Sequence, residues 1–85
     1  MKRIESFEEL KQLATSTDFS AGAEVFISLN GGVKSSKRVT YFPDTNTFDI
    51  YNDIDGSYEE DLTEEQLRSL THIVVAIENG ALYHY

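Results

Sequence analysis

No residue of this chain is a cysteine, only two are histidines, and no apolar run reaches the length of a signal peptide or a membrane span. The missing cysteines rule out disulfides, a thiolate nucleophile and cysteine zinc sites, so a hydrophobic core alone must hold the fold, which suits a reducing compartment. With no apolar stretch following Lys2 and Arg3, the chain is expected to be soluble and cytoplasmic, without membrane contact. Cations are missing too, but only locally. Residues 44–65 hold nine carboxylates and no Lys or Arg, whereas residues 1–43 are nearly neutral, with six basic residues against five acidic ones. A net charge of −8 placed in this way argues against direct nucleic-acid binding, which rests on neutralising phosphates with Lys and Arg. It suits a basic partner or a strongly solvated face. No internal repeat or low-complexity segment breaks up the 85 residues, which fit a single domain with one hydrophobic layer.

Strand patterning dominates residues 23–54. Val25, Ile27 and Leu29 alternate along one run, Val39 and Tyr41 along a second, and Phe48, Ile50 and Ile54 along a third, at the period of a half-buried strand. Asn30-Gly31 is a strong two-residue hairpin signal. A plain turn there, however, would oppose Val25 to Ser36 and Ile27 to Lys34 and put polar side chains on the buried face. A longer loop over residues 31–35 instead opposes Val25 to Tyr41 and Ile27 to Val39, and leaves residues 36–42 as the middle strand. The second hairpin turns at Pro43-Asp44-Thr45-Asn46, with Tyr41 opposite Phe48 and Val39 opposite Ile50.

Helices flank this sheet. Ser6-Phe7-Glu8-Glu9 has the form of a capping box, and Phe7, Leu10, Leu13 and Ala14 follow as an apolar stripe, with Lys11 and Gln12 turned outward. Thr63-Glu64-Glu65-Gln66 repeats the pattern, with Leu62 placed to staple onto Leu67. Leu67, Leu70, Ile73, Val74 and Ile77 continue at helical spacing as far as Asn79-Gly80. Thr71 could split this segment in two, and residues 72–85 could alternatively form a hairpin about Asn79-Gly80; the cap, the staple and the periodicity favour helix. Ile4 suits packing or a short edge strand, residues 81–85 suit a short strand or a cover, and residues 52–61 read as an acidic connection. The expected fold is α+β: a three-stranded antiparallel meander with an N-terminal helix and one or two C-terminal helices packed on one face.

The chemistry is sparse. Residues 31–38 combine glycines and serines with Lys34, Lys37 and Arg38, a composition that can bind anions weakly through a loop's backbone N–H groups. The spacing departs from the phosphate-loop pattern, and a hairpin loop with solubilising charges explains it as well. Asp53-Ile54-Asp55-Gly56 evokes a calcium loop, yet aligning Gly56 to the required glycine places Tyr51 and Leu62 where two critical ligands belong. An irregular cation site among Asp53, Asp55 and Glu59 competes there with an ordinary turn. His72 has Thr71 and glutamates nearby in sequence, but any helical surface offers as much, His84 stands too near the chain's end to be held still, and no pair of carboxylates is marked as buried and opposed, so neither an enzyme nor a cofactor is expected.

Three aromatics on the second sheet face, Phe26, Phe42 and Tyr51, are more than a solvated face usually carries, and partly exposed aromatics commonly anchor protein contacts. The alternative is that the C-terminal tail or the segment around Phe19 covers them. The leading expectation is a small non-enzymatic interaction or regulatory module that binds another protein, a second copy included, through that face. A different reading takes the acidic face of Asp44, Asp49, Asp53, Asp55, Glu59, Glu60 and Asp61 as a nucleic-acid mimic that blocks a nucleic-acid-binding protein. A decoy needs these carboxylates displayed as one stripe; a module of the first kind needs its aromatics open.

Overall fold

The computed structural model describes residues 2–15, 22–29, 32–53 and 55–84. Among them the fold is α+β, an open antiparallel sheet of six strands with three helices. In chain order the elements are β1 (Lys2–Arg3), α1 (Phe7–Ala14), β2 (Ala23–Leu29), β3 (Gly32–Phe42), β4 (Thr47–Asn52), β5 (Tyr58–Leu62), α2 (Glu64–Leu70), α3 (Ile73–Glu78) and β6 (Leu82–His84). In the sheet the order is β1-β6-β2-β3-β4-β5. The last strand is therefore inserted between the first two, antiparallel to both, with Leu82 opposite Ile27 and Tyr83 between Arg3 and Phe26.

The expected three-stranded meander is thus the middle of a wider sheet. The β3–β4 hairpin has the anticipated register, with Tyr41 opposite Phe48 and Val39 opposite Ile50. Asn46 closes its turn with φ 55, a left-handed conformation that asparagine tolerates.

The β2–β3 register corrects the sequence-based pairing. Leu29 pairs with Gly32, so only positions 30 and 31, which lie outside the described residues, separate the strands. A bulge after Ile27 then moves the register by one, placing Val25 opposite Lys37 and Ala23 opposite Val39. An extra residue in one strand reverses the facing of everything beyond it, so a short connection and a buried Val25 become compatible. β3 consequently begins at Gly32 rather than Ser36. Where β2 begins, a Cβ on Gly22 would collide with the Val39 carbonyl oxygen and Thr40 Oγ1, so the close approach of the two strands requires glycine.

The helices cover one face. Leu10 and Ala14 from α1, Leu67 from α2, and Ile73, Val74 and Ile77 from α3 pack with Val25, Val39, Phe48, Ile50, Leu62 and Leu82, together with Ile4 beside β1. Ser6 caps α1 by accepting from the Glu9 N–H, and Thr63 and Gln66 complete a capping box on α2. Contrary to the outward placement expected of it, Lys11 lies over the rings of Phe7 and Tyr41, its Nζ 5.7 and 5.1 Å from their centroids. Leu13 and Leu70, expected in the buried stripes, are 40 % and 57 % exposed, so the apolar stripe of each helix is narrower than the periodicity implied. The C-terminal helical segment does split at Thr71: His72 follows it at φ 61, and α3 starts anew at Ile73.

Candidate functional site

Residues 52–61, read as a connection, contain the edge strand β5. Gly56, at φ 74, completes the tight turn from β4, in which the Asn52 N–H donates to the Ser57 carbonyl and the Gly56 N–H to the Asn52 carbonyl. β5 pairs Tyr58 with Tyr51, Glu59 with Ile50 and Leu62 with Phe48. Between the last two pairs β5 has one residue more than β4, and Asp61 takes φ 57 to absorb it. Asp49 stands opposite this bulge. Its Oδ1 accepts from the Asp61 N–H at 3.2 Å and its Oδ2 from the Tyr58 hydroxyl at 2.8 Å. That hydrogen bond, seconded by desolvation and by the negative charge of Asp49, pushes the Tyr58 phenol up from 10.0 to about 12.

This geometry sorts the acidic run. Asp49 is buried, whereas Asp44, Asp53, Asp55, Glu59, Glu60, Asp61, Glu64 and Glu65 are exposed. They follow one border of the molecule, from the β4–β5 turn (Asp53, Asp55) along β5 (Glu59, Glu60, Asp61) to the first turn of α2 (Glu64, Glu65). Asp44, in the β3–β4 turn, joins the far end of this border, because it lines a cleft together with Asp61. The ion pairs among the described residues, Arg3–Glu5, Lys11–Glu8, Arg38–Glu24 and Arg68–Glu78, include none of them. Hydrogen bonds from Ser57 hold the Asp55 carboxyl below its usual range, with a smaller effect from the charge of Lys37. The cleft is about 360 Å³ in volume and is lined by Phe42, Asp44, Thr45, Thr47, Asp49 and Asp61.

The aromatic trio is divided by the fold. Phe26 is 1 % exposed and stacks on Tyr83 with ring centroids 5.8 Å apart, so its expected role as an accessible anchor is corrected: the inserted β6 strand occupies its flank. Phe42 and Tyr51 are half-buried, Phe42 in the cleft. Phe19 lies outside the described residues.

The loop expected over residues 31–35 is corrected as well. From Gly32 onward this segment is strand paired with β2 rather than an open loop, apart from Lys34 at the bulge. Arg38 is bound to Glu24 at 2.7 Å, and Lys37 is half-buried in β3; the Lys34 side chain lies outside the described residues. Among the described residues no three His, Asp or Glu side chains converge as metal ligands, the group of Asp53, Asp55 and Glu59 included. His72 is exposed, without a side-chain capping bond, and His84 sits in β6 between Lys2 and Val25.

Sequence reasoning missed β5 because both its faces are exposed up to Leu62, and such a strand has no apolar alternation to reveal it. The Gly56 turn and Tyr58 were the available signals. No helix is long and apolar enough to cross a membrane. No family model matches this chain, and no match was found among curated proteins or solved structures.

Proposed function

We propose that this protein is a non-enzymatic interaction module whose working surface is the acidic border along β5, and whose partner is a protein with a basic surface. The observation that carries this reading is the row of eight exposed carboxylates, none of them in an ion pair among the described residues. Like charges in such a row repel one another, which works against the fold, whereas a basic partner gains speed of encounter and orientation from them. The burial of Phe26 moves the contact away from the centre of the sheet's second face. Phe42, Tyr51 and Tyr58 remain beside the border as apolar supplements to the charge.

The edge is unsuited to simple strand addition. It is five residues long, densely charged and bulged at Asp61, devices that oppose pairing with another strand. Two copies meeting through β5 would oppose carboxylate to carboxylate, so the partner is a different, cationic protein. The gathering of these carboxylates on and beside one edge strand also favours a second reading, in which the border imitates a run of phosphates and occupies a nucleic-acid-binding surface.

Affinity capture from the native host, with the wild-type protein against a variant carrying Asp53→Asn, Asp55→Asn, Glu59→Gln and Glu60→Gln, tests both. The reading expects a basic protein retained by the wild type at low salt, lost by the variant, and released near 1 M NaCl, where screening shortens to about 3 Å. Capture that survives high salt and the four substitutions would refute it. If added DNA or RNA displaces the captured protein, the second reading is the right one.

A further inference from the structure

We propose that the cleft at the end of the acidic border seats an arginine side chain of the basic partner; the inference rests on the binding reading above and names its anchor. Two parts of the chain bring carboxylates to its lining. Asp44 comes from the β3–β4 turn and Asp61 from the bulge of β5, and neither carboxylate accepts a hydrogen bond or joins an ion pair among the described residues. Asp49, deeper in the wall, is already engaged by the Tyr58 hydroxyl and the Asp61 N–H, so it fixes the position of Asp61 and leaves the outer pair to the ligand. Phe42 gives the cleft an aromatic surface, and Thr45 and Thr47 line it too, their hydroxyls hydrogen-bonded to each other at 2.6 Å.

An aromatic ring and two carboxylates from separate parts of the chain match a planar cation better than a compact one. A guanidinium stacks on a ring face while its edges donate to both carboxylates, and its weak hydration lowers the cost of entering. An ammonium offers neither the plane nor the fork. The surrounding carboxylates, with no cation in residues 44–65, supply the complementary field that brings a positive segment to the opening.

The test uses a fluorescein-labelled Gly-Ser peptide with three spaced arginines, beside versions with lysine or the neutral isostere citrulline in their place. Anisotropy is read at 50 mM NaCl with wild type, the Asp44→Asn/Asp61→Asn pair, Phe42→Leu and the Glu59→Gln/Glu60→Gln pair. Asparagine tolerates the left-handed backbone at position 61, and circular dichroism checks that each variant is folded. The expected result is arginine bound at least fivefold tighter than lysine, no binding of citrulline, a loss of tenfold or more in the Asp44/Asp61 pair, and an arginine preference erased in Phe42→Leu. Equal affinity for arginine and lysine, with only Glu59→Gln/Glu60→Gln weakened, would overturn the cleft proposal and leave the acidic border standing. No binding of either cationic peptide to the wild type would overturn both.

Discussion

Asp49 shows how one side chain can separate structure from display within a run of like charges. Buried opposite the bulge, it satisfies the Asp61 N–H and holds the Tyr58 hydroxyl. Asp49→Ala leaves that N–H without its partner and should cost about 1–3 kcal/mol, measured by urea unfolding. The same substitution should return the Tyr58 phenol from about 12 toward 10.0, seen by absorbance titration of the tyrosinate. The sign of the pH dependence follows. A phenol whose folded value is raised stabilises the fold fully below pH 10, and that contribution fades as pH rises to about 12. Wild type should therefore lose stability over that interval more steeply than Asp49→Ala.

At the scale of elements, the junction between α2 and α3 turns on Thr71. Its Oγ1 donates to the Leu67 carbonyl at 2.6 Å and accepts from the Ile73 N–H at 3.3 Å, so a hydroxyl buried in the junction ends one helix and begins the next. Thr71→Val keeps the shape and removes both bonds, and should destabilise by about 1–2 kcal/mol in denaturant unfolding. Thr71→Ser, which keeps the hydroxyl, should recover most of that loss. The edge elements follow a different logic. β1 is only two residues long, while β5 is charged and bulged, so each end of the sheet is protected without a covering strand.

Across the whole molecule, the insertion of β6 ties the two ends of the chain together, since Lys2 and Arg3 pair with His84 and Tyr83. Leu82, fully buried between β1 and β2, sits where that closure meets the core. Leu82→Ala should cost about 2–5 kcal/mol and broaden the amide spectrum of β1 and β2 together, checked by denaturant unfolding and heteronuclear NMR. The acidic border has the opposite effect on stability. Because its carboxylates repel and lack ion-pair partners among the described residues, screening should help the fold. Raising NaCl from 20 to 300 mM should lift Tm by roughly 4 °C, the shift that about 1 kcal/mol produces in a domain of this size, read by thermal melting. A fall in Tm would mean that the surface ion pairs outweigh the repulsion.

What this sequence determined by itself was local: both helix caps, the helical stripes in outline, the β3–β4 hairpin with its register, and the placement of the acidic run. Each depends on residues a few positions apart, and so on spacing and backbone preference that the chain carries with it. Tertiary structure decided the rest. A bulge after Ile27 settled the register that alternation alone had misassigned, because one inserted residue reverses a strand's facing without a mark in composition. The arrival of β6 from the far end of the chain withdrew Phe26 from contact. The pairing of β5 with β4 buried Asp49 and left its eight acidic neighbours outside, which no count of charges distinguishes, since burial belongs to partners brought together across the fold.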